Sequence, residues 1–280
     1  MSGLATSRAP VRLWAWWPAA LLALLVICAI AAPILSPLDP DRQNLLARLK
    51  PPGFEARGAV YWLGSDELGR DVLSRVIHGA RVSILVAVLS VLLSGVVGIA
   101  VGMVAGYLRG WTETILMRLV DVFLSVPAIL LAIITVAVLG PGFFNVILVL
   151  ALTRWPRYAR VAYGQTLAMS ERPFVRLARA MGATTPRVLA VHILPNIIGP
   201  LLVVATLEFG LMVLFEAGLS FLGLGVQPPT ASWGAMLSTG RNYIATAWWI
   251  ATFPGLALFL LVLSANMIGD TLGDRIGKER

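Results

Sequence analysis

The feature that most constrains this chain is a series of apolar stretches: Leu13–Leu35, Val82–Tyr107, Leu119–Leu139, Phe143–Tyr158, Ile197–Leu222 and Trp248–Ile268. Most approach or exceed the roughly 20 residues an α-helix needs to cross a hydrocarbon layer ~30 Å thick. In such a layer no water satisfies the backbone, so each run predicts a helix that closes its own hydrogen bonds. The fourth run is the shortest, and Arg154, Pro156, Arg157 and Arg160 close it or follow it at once. Those arginines are expected to snorkel toward an interface. Charged residues make up only 13% of the chain, against about 25% in soluble domains. The fold class expected is therefore an all-α integral membrane protein with six transmembrane helices. Arg8 and Arg12 before the first run also suit a signal peptide, but its length and the later runs predict an uncleaved first span.

Direction follows from the basic residues. With the N-terminus inside, the inner segments hold 14 of the 22 Lys and Arg, seven of them between 154 and 187. Seven of the outer eight fall between Ser36 and Arg81, where six acidic residues balance them. Positive residues accumulate on the cytoplasmic side, so both termini are expected there. The net charge of +8 is thus a topology signal, and no nucleic-acid partner is expected. Trp14, Trp16, Trp17, Trp248 and Trp249 sit at span ends and read as interface anchors. Ser36 to Arg81 reads as an ordered outer loop, so the expected division is residues 1–81, an N-terminal span plus outer loop, and 82–274, a transmembrane domain.

Three carboxylates fall in or near spans and are functional candidates, because an intramembrane charge is costly unless paired or wetted. Asp121, one turn from Arg118, suggests an interfacial ion pair. Glu208, near mid-span, suggests a cavity-lining residue, and Glu216 suggests a group that orders backbone at an outer constriction. All three are candidates for a translocation pathway. Gly98, Gly102 and Gly106 continue a four-residue repeat begun by Ser90 and Ser94. Such a stripe suits close helix packing, with a pathway-lining role as the alternative.

Residues 160–199 are too polar to span. Phe174, Leu177, Ala178 and Met181 share one face of a predicted helix, with Arg172, Arg176 and Arg179 off it. Ser170 is the expected cap of this helix and Gly182 its exit, while Thr185-Pro186 is expected to open a second short helix that Pro195 ends or kinks. An amphipathic helix of this kind fits either a groove on another protein or an anionic membrane surface.

Arg176-Leu177-Ala178, three residues, Gly182, nine residues, then His192-Ile193-Leu194-Pro195 resembles the Glu-Ala-Ala…Gly…Ile-x-Leu-Pro loop of binding-protein-dependent ATP-binding-cassette importer permeases. The departures are Arg176, Leu177 and His192. The stretches from Trp62 to Arg75 and from Glu216 to Pro229 are similar to dipeptide and oligopeptide permeases, of the second-permease type found also in nickel and opine systems. The resemblance implies a type I importer permease (MetI-like) fold and a role in forming the pathway for peptides. It implies as partners a second permease, two cytoplasmic ATPase subunits that bind ATP and Mg, and an extracytoplasmic substrate-binding protein. It also implies an ATPase-coupling role for Phe174, Arg176, Ala178, Met181, Gly182 and Pro195, in a bacterial inner membrane.

Other chemistry has little support. Gly273 to Glu279 is too short and lacks the Ser or Thr of a phosphate loop, so no ATPase site, catalytic residue or cofactor is expected in this chain. His78 and His192 fall on opposite sides of the expected topology and share no metal, and Cys28 is the single cysteine. The main competing class is an ion- or proton-driven secondary transporter with Asp121 and Glu208 as relay groups.

Overall fold

A computed structural model describes residues 16–56 and 58–278. Arg8, Arg12, Leu13, Trp14, Arg57 and Arg280 lie outside the described residues. The elements in order are α1 (Trp17–Ile30), α2 (Ala32–Leu35), β1 (Phe54–Ala56), β2 (Ala59–Tyr61), α3 (Val72–Leu108), α4 (Gly110–Ser125) and α5 (Ala128–Leu139). They continue with α6 (Phe143–Ser170), α7 (Pro173–Ala180), α8 (Thr185–Arg187), α9 (Leu194–Phe221), α10 (Trp233–Arg241) and α11 (Trp249–Lys278). Among the described residues helix covers most of each expected span, and several differ from the expectation for identifiable reasons.

Three described helices are long and apolar enough to cross a membrane: α3, the continuous run Thr185–Phe221, and Trp249–Ile276. The span expected over 119–139 is instead two helices, α4 and α5, meeting at 90°. Pro127 is the cause: its ring disfavours helical backbone at the residue before it, and Val126 is extended at φ −92, ψ 130. The fourth helix runs to Ser170, twelve residues past the expected end. Its arginines find carboxylate partners on other helices, so they do not end the helix. Helix α3 starts at Val72 and passes unbroken through residue 81, which places the division between residues 81 and 82 inside a helix.

The loop segments also differ. Ser170 does not cap α7; it is the last residue of α6, and its hydroxyl donates to the Leu167 carbonyl at 2.9 Å. Thr185 is the first residue of α8 and not its cap, and no side chain caps that helix. Pro195 neither ends nor kinks the chain's path, because residues Val188–Ile193 form a π-helical turn that joins α8 to α9. The wider turn leaves Pro195 at the start of α9, where its missing N–H is tolerated.

Helix α3 is the hub of the core and packs on α1, α4, α6, α9, α10 and α11. The hairpin of β1 and β2 pairs Phe54 with Tyr61 and lies at the end of the molecule where α3 begins. Beside it Asp66 receives Arg70 Nε at 2.6 Å and the Leu68 and Arg70 amides at 2.9 Å. Asp71 caps α3 by accepting the Ser74 amide at 2.8 Å. Helix α10, which lies outside all six expected runs, buries Trp233 completely and sends its Nε1–H to the Val76 carbonyl at 2.8 Å. Trp249 is buried too and donates to the Ser65 carbonyl at 3.0 Å, so it is a tie to the loop before α3 and not an exposed anchor. Trp16, Trp17 and Trp248 remain exposed.

Candidate functional site

The glycine stripe of α3 faces α6. A Cβ on Gly98 would lie 2.3 Å from the Trp155 carbonyl oxygen, and one on Gly102 would lie 2.3 Å from that of Ala159. On Gly106 it would come within 2.8 Å of the Tyr163 carbonyl. The absent side chains therefore let two backbones touch along several turns, which is the small-residue packing expected where lipid supplies no hydrophobic drive.

Glu208, the expected cavity-lining residue, sits in a buried ion-pair cluster. It is 1% exposed and accepts Arg154 Nε at 2.7 Å and Arg154 Nη2 at 2.9 Å, a two-pronged pair. Arg157 Nη1 adds a third contact at 3.0 Å. Arg154 is buried with its guanidinium 5.3 Å from the centre of the Phe215 ring, while the Arg157 side chain is 55% exposed. The cluster sits 13 residues from the end of α9 at Phe221, about 20 Å along a helix. That is deep within a layer ~30 Å thick. One carboxylate thus faces two cations, and the net +1 is left on the more open arginine.

Glu216, fully buried, accepts Ser83 Oγ from α3 and Ser220 Oγ from its own helix, each at 2.8 Å. Its partners are hydroxyls and not backbone amides, so it ties two helices together. Asp121 pairs with Arg160 across from α4 to α6, and not with Arg118 on its own helix.

At the opposite end from the hairpin, α7 forms a rigid shelf. Pro173 opens it and Gly182, at φ +84, closes it. The Gly182 amide donates to the Arg179 carbonyl at 2.9 Å and the Ala183 amide to the Ala178 carbonyl at 3.0 Å, the paired bonds of a left-handed helix stop. Replacing Gly182 with valine puts a β-branched residue at positive φ. It should cost about 1–3 kcal/mol of local order, seen as faster amide exchange over residues 176–188.

The face of α7 is rotated from the one expected. Val175 and Ala178 are buried, Val175 in a cluster with Met103, Val188, Ile193 and Ile197. Ala178 is thereby a mounting residue with no surface to offer a partner. Phe174, Leu177 and Met181 stay exposed, Leu177 at 62% and Met181 at 83%. Three contacts steady the shelf. Arg176 and Arg109 both grip Glu171, and the Arg179 guanidinium stacks 5.2 Å from the Tyr107 ring. Hydrogen bonds from Arg176 and then Arg109 hold the Glu171 carboxyl below its ordinary value, so this exposed clamp persists above the carboxylate range and is lost only as pH falls beneath it. Glu171 and Val175 were not among the expected residues; the five-residue step from Glu171 to Arg176 was the available signal. His78 and His192 are far apart in the chain's architecture, and His78 Nδ1 lies 3.0 Å from both Ser36 Oγ and the Ser74 carbonyl.

Comparison with known proteins agrees with this architecture. Residues 98–278 match the profile of the binding-protein-dependent transport system inner membrane component, and residues 14–52 match the N-terminal transmembrane domain of oligopeptide transport permease C. The chain is 44% identical over 254 residues to a di/tripeptide transport system permease protein of Pseudomonas aeruginosa, covering 90% of this chain and 84% of the relative. It is 44% identical to a dipeptide transport system permease protein of Escherichia coli K12, with 90% and 85% covered. A glutathione transport system permease protein of Pectobacterium atrosepticum is 40% identical, with 90% and 83% covered. Among solved structures, a chain of the inward-facing MetNI methionine ABC transporter shares the fold, with a TM-score of 0.58 at 22% identity over 71% of this chain and 95% of that one. An apolar helical bundle, a buried glycine seam, a stiff loop helix and these matches converge: the chain is a membrane-spanning permease of the binding-protein-dependent transport system inner membrane component family.

Proposed function

We propose that this chain is one of two related permeases that together form the peptide pathway of an ATP-driven importer in a bacterial inner membrane, with both termini in the cytoplasm. The residues before α3 contribute the first span and the outer loop, and those from Val72 to residue 274 the pathway-forming domain. An extracytoplasmic binding protein delivers di- or oligopeptides, in keeping with the dipeptide relatives, and two cytoplasmic ATPase subunits bind ATP and Mg. In this reading α7 is the docking element. Phe174, Leu177 and Met181 enter a groove of the ATPase, Arg176 flanks it, and Gly182 and Pro195 set the shape of the loop. Arg176 stands where the family loop has glutamate; here it grips Glu171 and stiffens the shelf. Glu208, Glu216 and Asp121 act in this scheme by holding the helices that surround the pathway.

The observation that carries the proposal is a large apolar triad left in the open on a helix otherwise locked by a buried face, a proline start and a glycine stop. Exposed apolar side chains on a stiff, polar-flanked helix are the signature of a helix-in-groove partner. The test is the double substitution Leu177→Asp/Met181→Asp in the assembled transporter. Membrane insertion should be unchanged, while association with the ATPase subunits weakens by roughly 30-fold or more, the scale of a lost interface hot spot. Peptide-stimulated ATP hydrolysis should fall with it. Undiminished uptake in that variant would overturn the docking role, and labelling of a cysteine at position 176 from outside the cell would overturn the orientation.

A further inference from the structure

The described surface holds a cavity of ≈ 350 Å³ between α1, α3, α9 and α11, lined by apolar residues that include Leu22, Val26, Ile84, Leu202, Phe209 and Ala265. A second cavity of ≈ 140 Å³, lined by Trp16, Pro18, Thr271 and Arg275 among others, shares Ile268 and Leu272 with it. The two therefore adjoin along α11 and together make a slot. Its deep part is wholly hydrocarbon-like and its mouth carries a cation and an indole. From Arg275 to Ala265 is ten residues along α11, about 15 Å, which is close to half of a hydrocarbon layer ~30 Å thick.

The mouth is built for an anion at a membrane surface. The Arg275 guanidinium lies 5.9 Å from the centre of the Trp16 ring. Among the described residues Arg275 has no carboxylate in an ion pair with it. Trp16 and Trp17, both exposed, begin α1 at this end, as aromatic residues at a headgroup belt do. Arg8 and Arg12 precede them in the sequence and no acidic residue does. A soluble peptide would present backbone polar groups to a slot that offers them nothing in its depth. A fatty acyl chain needs no such partner, and a phosphate matches the arginine at the mouth.

We infer that this slot is a binding site for one anionic phospholipid, its acyl chain lying along α11 between α1 and α9 and its phosphate held by Arg275 beside Trp16. The bound lipid fills the gap between α1 and the rest of the bundle, so it acts as a wedge that fixes the first span. This assignment is independent of the transported substrate and of the docking role of α7.

The test is native mass spectrometry of the intact transporter in detergent, titrated with phosphatidylglycerol or with phosphatidylcholine of the same chains. Wild type should retain phosphatidylglycerol preferentially. Arg275→Gln should cut its retention about fivefold, the scale of one basic residue's attraction to an anionic headgroup, and Arg275→Lys should keep most of it. Ala205→Trp, which fills the slot, should lower retention of both lipids; because that variant risks misfolding, the two Arg275 variants carry the decision. Equal retention of the two lipids by wild type would overturn the assignment. So would an Arg275→Gln protein that holds phosphatidylglycerol as well as wild type, or phosphatidylglycerol binding that emerges only after residues 1–15 are deleted, since the chain's own N-terminal segment would then be the occupant.

Discussion

Glu208→Gln is expected to destabilise the folded transporter by about 3–5 kcal/mol, the usual cost of removing one partner from a buried ion pair. The carboxylate takes three hydrogen bonds from two guanidiniums, and Arg154 has no route to water that its side chain would not have to open. The glutamine amide keeps the shape and one acceptor oxygen but loses the charge, which leaves two cations side by side deep in the bundle. The measurement is the unfolding free energy of the purified complex in detergent. A contrast makes the cause identifiable. The double variant Arg154→Gln/Glu208→Gln removes both charges of the buried pair and should recover most of the loss. Arg157→Gln alone should cost less than Glu208→Gln, because it removes one of the three contacts and leaves the carboxylate paired with Arg154. If Glu208→Gln lies within ~0.5 kcal/mol of wild type, the cluster is wetted in solution and the cost of an uncompensated buried charge does not apply.

Gly102→Leu is expected to reach or pass the upper end of the 1–3 kcal/mol typical of overpacking. Even the first added carbon would meet the Ala159 carbonyl oxygen at 2.3 Å and the Ala162 Cβ at 2.8 Å. The obstacles are backbone and a Cβ, neither of which can swing aside, so α3 and α6 would have to separate along their whole seam. Gly164→Leu on α6 is the matched control: nothing lies within 4 Å of a Cβ there. It should change stability by less than about 1 kcal/mol and in the favourable direction, since leucine is the better helix former. Equal effects of the two substitutions would show that the seam is not close-packed.

The spans were legible because lipid enforces one rule on every apolar run, and the run itself states its length. What escaped was non-local. The end of α6 could not be seen at Tyr158 because the partners of Arg157 and Arg160 lie on α9 and α4, 51 and 39 residues away. Hydropathy smoothed over Pro127, although the residue that breaks the span was in plain view. Helix α10 was missed because its nine residues are too short for a span and its ties to the bundle, Trp233 to Val76 and Ser238 to Phe221, are not local in sequence. On α7 the difficulty was geometric: eight residues hold two apolar stripes, Val175 with Ala178 and Phe174 with Leu177, and only packing decides which one is covered. The glycine stripe was the reverse case, since its period alone names the neighbour's distance if not the neighbour.

The π-helical turn at Val188–Ile193 has a mechanical consequence. From Thr185 to Glu208 the chain is one continuous helical run about 35 Å long, so a displacement passed on from the α7 shelf through the Gly182 turn travels along it to the carboxylate that holds Arg154. The widened turn is a soft joint in it, where an extra residue per loop lets the register slip. Torque applied at the tip is therefore absorbed there first, and whatever the joint does not absorb arrives at the guanidinium clamp as strain.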